Sequence, residues 1–339
     1  MLKYKNKAIF LEDSFILATF AKEMDEHKSD KRQMENSSCQ LSIITVNYNG
    51  LDDTCTLIDT IIFNDQMEMI VVDNGSTVDE AAIISQRYPH VKVIRSDSNL
   101  GFAGGNNLGI KAASGRYLFL INNDTLFKSF DVRPLVKRME SSSNIAVVCP
   151  KIRFAWDPQP LQFTGYTPLS RVTLRNQSIG FSEHDNGQYD APHTTPYAHG
   201  AAMMIRREAI ERVGLMPECY FLYSEELDWS LMFTRAGYEI WYEPGVTIYH
   251  KESSSTGIDS PLKTYYVTRN RLLFASRNIR GFYRFATYGY LSLLVLPRDI
   301  CKYLLRRRPD LAKAALRGVG DFCIKRTTNN SSTTNNRRI

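Results

Sequence analysis

The sequence predicts an α/β protein built on a doubly wound, mostly parallel central sheet flanked by helices. Three observations carry that prediction. Five short runs rich in β-branched and aromatic residues recur along 41–152, near-continuously apolar as strands buried on both faces are. Four stretches of helical character separate them, which is the alternation of a doubly wound fold. Three of the runs end in carboxamide and carboxylate residues, and such sheets bind ligands at the carboxyl ends of their strands.

The elements follow in order. Residues 1–40 form an N-terminal extension, read as a helix or loose arm and then a polar linker. Its seven Lys/Arg balance seven Asp/Glu, and charges inside its apolar stretches make it a poor signal peptide. The strands are LSIITVNY (41–48), MEMIVVDNGS (67–76), VKVIRSD (91–97), RYLFLINND (116–124) and IAVVCPKI (145–152), with helices over 53–63, 78–88, 103–113 and 131–140. The turn-rich, aromatic 153–198 reads as a β-hairpin excursion or lid. AAMMIRR (201–207) predicts a strand, 207–214 a short helix stopped by Gly214, and 225–237 a helix stopped by Gly237. YEIWYEPGVTIYH (238–250) reads as two short strands around a Pro-Gly turn. Residues 263–326 predict a basic, aromatic helical region, and 327–339 a low-complexity disordered tail.

Composition narrows the function classes. At 339 residues, 43% hydrophobic and 23% charged, the chain is globular, with one large or two ordinary domains. No apolar run approaches the ~20 residues of a membrane span, so a polytopic membrane protein is excluded. Six scattered cysteines without a CxxC read as reduced thiols of a cytosolic protein. Charge is segregated. Residues 263–339 carry 17 Lys/Arg and 3 Asp/Glu, whereas the chain as a whole is only +6. A basic C-terminal third on an acidic body suggests a polyanionic partner. The candidates are nucleic acid, anionic lipid or a phosphate-bearing substrate. No nucleic-acid fold motif accompanies the charge, so nucleic acid is set aside.

The chemistry concentrates at the strand ends. Asp124, beside Asn122 and Asn123, is placed to hold a divalent cation, since Mg²⁺ takes one or two carboxylates and completes its shell with phosphates and water; the alternative is a helix N-cap. Asp73 has the same two readings. NLGFAGGNN (99–107) opens a helix whose glycines let backbone N–H groups approach a phosphate. It is neither GxGxxG after a first strand nor a Walker loop. Glu225, Glu226 and Asp228 begin a helix, where acids are favoured by the macrodipole or serve as a general base. His250, at a strand end, is a structural histidine or the completion of a metal site.

IITVNYNG (43–50), VVDNGS (71–76), NLGFAGGNN (99–107), INND (121–124), HGAAMMIRR (199–207), FLYSEELDW (221–229), IYHKESSST (248–256) and YYVTRNRLLF (265–274) stand in one order along the chain. As a set they resemble the inverting glycosyltransferases of family two, with the GT-A fold, and within them the bacterial rhamnosyltransferase-like branch. The resemblance implies a catalytic domain over 41–262. Tyr48 and Asp73 would contact base and ribose of a nucleotide-sugar, with Asn49, Asn74, Gly101 and Asn123 beside them. Asn106 would lie against the nucleotide and its phosphates. Asp124 occupies the last position of the family's DXD metal motif, whose first acid is here Asn122. His250 would ligate the Mg or Mn ion or touch the diphosphate. Glu226 stands where the family has its catalytic Asp, with Glu225 and Asp228 as alternatives, and Gly200 and Ala201 would wall the donor sugar. The implied reaction moves a sugar, dTDP- or UDP-linked and of the rhamnose type, onto a hydroxyl of a surface glycan or lipid-linked glycan. The implied location is cytoplasmic, peripheral on the inner face of the membrane. The Asn122 and Glu226 departures leave one alternative, a degenerate transferase acting as a binding or assembly subunit.

Overall fold

The computed structural model describes residues 39–252 and 260–335. The N-terminal extension up to residue 38 and the end of the IYHKESSST stretch, from 253, lie outside the described residues.

The apolar runs become β1 (Leu41–Asn47), β2 (Met67–Asp73), β3 (Lys92–Arg95), β4 (Tyr117–Ile121) and β6 (Ile145–Phe154). The helices between them are α1 (Leu51–Asp59), α2 (Glu80–Arg87), α3 (Gly101–Ala112) and α4 (Arg133–Glu140), with the two-residue β5 (Thr125–Leu126) before α4. Beyond them come β7 (Leu161–Phe163), β8 (His193–Thr194), β9 (Ala202–Arg206), α5 (Arg207–Val213), α6 (Glu225–Arg235) and β10 (Glu239–His250). The sheet order is β3-β2-β1-β4-β9-β6-β10-β5, with β7 on β6 and β8 on β10.

β1, β2, β3 and β4 pair in parallel. β9 is wedged between β4 and β6 and runs against both. β4, β6 and β10 therefore still point the same way, and their carboxyl ends join those of β1 and β2 on one edge. The 238–250 segment differs from its prediction. It is one long strand, parallel to β6 on both sides of a register shift between Glu243 and Thr247. Pro244 and Gly245 sit in that bulge, where a missing N–H and a missing side chain are tolerated. The 153–198 excursion is tied to the sheet by Lys151 of β6, buried and 3.0 Å from Asp185 and 2.5 Å from Asp190.

α3 lies directly on β1. Cβ atoms added at Gly105 and Gly109 would stand 2.8 Å from Val46 Cγ1 and 2.4 Å from Ile44 Cγ2. Gly105, one of the glycines read as phosphate-approach residues, and Gly109 beyond that motif thus let this helix sit close on the sheet. The C-terminal region is helical as predicted. It comprises α7 (Pro261–Asn278), α8 (Gly281–Gly289), a π turn (Tyr290–Val295), α9 (Leu296–Leu305) and α10 (Pro309–Asn335). Leu272, Leu291, Val295 and Phe322 form a second, smaller apolar cluster there. The last helix extends into the stretch whose composition predicts a disordered tail; residues 336–339 lie outside the described residues.

Gly109→Ala tests the α3 contact. A helix-interior Gly→Ala change ordinarily gains about 1 kcal/mol, but overpacking a buried site costs about 1–3 kcal/mol. Ile44 is fully buried in the central strand and cannot retreat. The variant is expected to lose about 1 kcal/mol net, read as a lower denaturant midpoint.

Candidate active site

A cavity of about 390 Å³ opens at the carboxyl edge of the sheet. Of the residues proposed from sequence, Tyr48, Asn74, Gly101, Asn106, Asn123, Asp124, Gly200, Ala201, Glu225, Glu226 and His250 line it. Asn49, Asp73 and Asp228 do not line it. Asn49 braces a turn, its Oδ1 accepting from the Thr77 N–H (2.9 Å) and hydroxyl (2.7 Å). Asp73 is fully buried, accepting from Asn47 Nδ2 at 3.1 Å and from the Ser76 hydroxyl. Asp228 is buried among the Tyr220 hydroxyl (2.9 Å), Arg277 Nε (2.6 Å) and Asn278 Nδ2 (2.9 Å), as a structural ion pair would be.

Asp124 and His250 are 126 positions apart in sequence, and a short antiparallel pairing brings them together. β5 pairs with the end of β10, His250 opposite Thr125, and the Lys251 N–H donates to the Asp124 carbonyl at 2.9 Å. Both side chains are buried, with Asp124 Oδ1 3.1 Å from His250 Nε2. On its other side, His250 Nδ1 lies 2.9 Å from Gln162 Oε1 of β7. An amide oxygen only accepts, so Nδ1 carries the proton and the Nε2 lone pair faces the carboxylate. Two facing lone pairs require a proton or a cation between them. Adjacent ligands of an octahedral divalent ion at about 2.1 Å stand roughly 3.0 Å apart, close to the separation found. The pair therefore fits a divalent cation that draws its remaining ligands from substrate or water. Among the described residues no group of three or more His, Cys, Asp or Glu side chains gathers.

The helix α3 N-terminus is less open than its glycines suggest. The N–H groups of Leu100, Gly101 and Phe102 already donate to Asn74 Oδ1 (3.0 Å), Asn99 Oδ1 (2.8 Å) and the Phe221 carbonyl (2.7 Å). Gly101 is needed for a different reason. Its φ is +75°, and a Cβ there would stand 2.2 Å from the Phe221 carbonyl oxygen. Asn106 is folded back on its own helix, Nδ2 donating to the Phe102 carbonyl at 2.9 Å.

Glu225 and Glu226, at the start of α6, line the same cavity as Asp124 and His250. Glu225 is buried, and its Oε2 has no hydrogen-bond partner. Burial, followed by the neighbouring Glu226 charge, raises the Glu225 carboxyl well above its ordinary value of 4.5. Burial raises Glu226 as well. A carboxylate pushed up in this way is a stronger base than a solvated one. A Cβ at Gly200 would sit in ordinary contact, 3.8 Å from Glu226 Cγ, so Gly200 and Glu226 are neighbours on the cavity wall.

Sequence reasoning did not single out Gln162, Tyr166, His199 or Phe221 as lining residues, and the motif YYVTRNRLLF received no structural role. The ring of His199 stacks on Tyr166 with planes 8° apart, and Nδ1 accepts from the Ala201 N–H at 3.1 Å. Burial, with His250 nearby, holds its pKa down to about 3, so it is neutral. The motif supplies Arg269 and Asn270 of α7. Asn270 is fully buried, and its Nδ2 lies 3.1, 2.7 and 2.8 Å from the carbonyls of Tyr220, Leu222 and Tyr223. Arg269 donates to the Cys219 carbonyl at 3.1 Å and to that of Tyr220 at 2.5 Å. Between these bonds and the glutamates, Phe221, Tyr223 and Ser224 have φ of 69°, 70° and 79°. Left-handed conformations cost non-glycine residues about 1 kcal/mol or more each. The α7 side chains hold that turn in place, and with it the start of α6.

Residues 42–214 match the family model described as Glycosyl transferase family 2. The low-salt glycan biosynthesis hexosyltransferase Agl10 of Haloferax volcanii is 26% identical over 82% of this chain and 89% of its own length. The N-acetylglucosaminyl-diphospho-decaprenol L-rhamnosyltransferase of Mycobacterium tuberculosis is 23% identical over 64% of this chain and 77% of its own. Among solved structures, the mannosyltransferase PcManGT of Pyrobaculum calidifontis, in complex with GDP-Man and Mn2+, is similar at a TM-score of 0.51 and 14% identity, covering 95% of this chain and 90% of that one. GalNAc-T7, crystallised with UDP, GalNAc and Mn2+, is similar at 0.55 and 16% identity, covering 71% of this chain; the match spans half of GalNAc-T7. These likenesses bear out the GT-A fold.

Two outcomes are expected. Glu225 has a folded-state pKa above its unfolded one, so its penalty is absent at low pH and stability is lost as pH rises above about 4.5. Glu225→Gln removes that titration; its melting temperature should gain on the parent's between pH 5 and 8 and show no gain at pH 4. Asn270→Ala strips three buried carbonyls of a donor and should cost about 3 kcal/mol, measured by chemical denaturation.

Proposed function

The chain is a member of glycosyl transferase family 2, and from that premise we propose that it transfers a sugar, with inversion, from a nucleoside diphosphate to a hydroxyl of a growing glycan. The donor is dTDP- or UDP-linked, of the rhamnose type. The acceptor is a surface glycan or its lipid-linked precursor, reached from the cytoplasm at the inner face of the membrane. Residues 41–262 are the catalytic domain. One observation carries the reading: the half-buried, raised carboxyl of Glu226 and the Asp124–His250 pair open into the same cavity.

Each residue then has a task. The half-exposed Tyr48 ring offers a stacking surface at the cavity mouth for the nucleotide base, and Asn106 and Asn123 offer polar side chains to the nucleotide. Gly200 and Ala201 leave room for the donor sugar beside Glu226. Glu226 accepts the proton of the acceptor hydroxyl as its oxygen attacks the anomeric carbon from the face opposite the diphosphate, which inverts that centre. Asp124 and His250 would hold Mg²⁺ or Mn²⁺, whose chemistry is to offset charge on the departing diphosphate. A diphosphate leaves without a protonating acid, so a single carboxylate base suffices. The likeness to an L-rhamnosyltransferase supports the rhamnose type, and the likeness to enzymes crystallised with UDP or GDP-Man supports a nucleoside diphosphate carrier.

The test has two stages. Melting temperature is measured against UDP, dTDP and GDP, with and without Mn²⁺; a metal-dependent rise with one of them is expected, because ligands stabilise the state they bind. Asp124→Ala should lose the metal dependence. With the corresponding sugar donor, Glu226→Gln should keep the nucleotide-induced rise and lose about 10²–10⁴ in kcat. The parent's kcat should fall as pH drops, through a pKa above the ordinary glutamate value of 4.5. Unchanged turnover in both variants would overturn the assignment, as would retention of anomeric configuration in the product's NMR spectrum.

A further inference from the structure

Helix α8, the π turn and α9 run without a break from Gly281 to Leu305, a rod roughly 35–40 Å long. One side faces the protein through the buried Thr287, Leu291 and Val295. The other side presents Phe282, Phe285, Leu293, Leu294 and Leu305, which are 63–86% exposed. Steps of three and eight residues put Phe282, Phe285 and Leu293 on one stripe of the rod, and Leu305 stands exposed at its end. No residue of α9 is buried. Single exposed apolar residues are ordinary, but a row of large ones marks a surface with a partner.

The flanks of the row identify the partner's chemistry. From Arg280 to Arg317 there are nine Lys/Arg, including Lys302, Arg306 and Arg307, against only Asp299 and Asp310. Those two acids are themselves within ion-pair distance of Arg298 and Arg308. An apolar row of Phe and Leu bordered by Lys and Arg is the pattern of a helix lying in a membrane interface, its apolar side sunk about 5–10 Å among headgroups and upper acyl chains. Among the described residues no helix is long and apolar enough to cross a membrane. We propose that the Gly281–Leu305 rod docks this protein on a lipid leaflet rich in anionic headgroups, the Phe/Leu row entering the interface and Lys302, Arg306 and Arg307 meeting lipid phosphate. The proposal rests on the transferase reading only in placing the lipid-linked acceptor in that same leaflet.

The experiment is co-sedimentation of the full chain with phosphatidylcholine vesicles, with and without phosphatidylglycerol, in the absence of nucleotide and sugar. The parent should partition at least about tenfold more strongly onto the anionic vesicles, and salt should weaken this. The triple variant Phe282→Ser, Phe285→Ser, Leu293→Ser should lose about tenfold or more on the same vesicles. Lys302→Gln, Arg306→Gln, Arg307→Gln should lose a similar factor together with most of the salt dependence. Circular dichroism should match the parent's in both, since the altered side chains lie outside the core. Three results would each overturn the proposal: a parent that ignores anionic vesicles, an apolar triple variant that binds like the parent, or a solution dimer that the apolar variant dissolves, which would mean a second copy covers this face. Donor and acceptor play no part in the binding assay. A vesicle-bound but inactive protein would count only against the transferase reading, and an active protein that ignores vesicles only against the docking.

Discussion

Everything on the upper side of the cavity depends on where five backbone carbonyls, those of residues 219–223, can find donors. That stretch and the Ser224 that follows it contain three non-glycine residues in the left-handed region, and among the described residues no strand pairs with them. A chain does not hold such a conformation by its own preference. Here the Asn270 amide and the Arg269 guanidinium reach in from α7 to take four of the carbonyls, and the Phe102 N–H takes that of Phe221. Glu225 and Glu226 follow immediately, so the position of the proposed base is set from a helix more than forty residues away in sequence. The same carbonyl of Phe221 explains Gly101: only a residue without a Cβ leaves room for that oxygen. Turn, α3 and α7 thus form one unit, and a defect in any of them reaches the glutamates.

The carboxylates of this molecule fall into two groups, and environment rather than residue type separates them. Asp73 and Asp228 are as buried as Glu225, yet Asp228 accepts on both oxygens from three donors and Asp73 on Oδ1 from two. Loss of water raises the carboxyls of both Glu225 and Glu226, and the neighbouring Glu226 charge raises Glu225 further. Burial of this kind costs stability, and a fold that only needed acids in a first helical turn would leave them at the surface, where the helix dipole favours them without that cost. The unequal treatment of neighbouring acids on one helix separates the chemical candidate, Glu226, from the structural one, Asp228.

The legibility of these features follows from how local each is. Strands and helices of 41–152 were readable because their apolar periods are set by neighbouring residues, and the shared strand direction followed from the repeated crossover. The insertion of β9 between β4 and β6 was not readable, since nothing in AAMMIRR records which neighbours it takes. Asp124 and Glu226 could be singled out because their sequence surroundings are distinctive. Gln162 could not, because it lies in the irregular excursion and matters only through its bond to His250. The glycines of NLGFAGGNN carried a mixed message. The expected approach is to a phosphate, whereas the group that a side chain would meet at Gly105 is Val46 of β1 and at Gly101 the Phe221 carbonyl. Asp73 shows the opposite error: its strand-end position was visible, while the donors that occupy it come from Asn47 and Ser76, which sequence order alone does not bring together.

The C-terminal helices are best understood through α7, because that helix touches both unusual surfaces of the molecule. Its first turn places Leu262 and Lys263 on the cavity wall, its middle supplies Arg269 and Asn270 to the strained turn, and Leu272 packs with Leu291 and Val295 beneath the exposed apolar row. A rod that only completed a core would gain nothing by keeping Phe282, Phe285 and Leu305 in water. Had the basic region served solubility alone, acids would serve as well as Arg306 and Arg307. Segregated charge and an uncovered apolar row on one rod are both explained if the rod rests on an anionic interface. The stiff connection through α7 then keeps the cavity at a set height above that interface, which is the geometry an acceptor anchored in lipid requires.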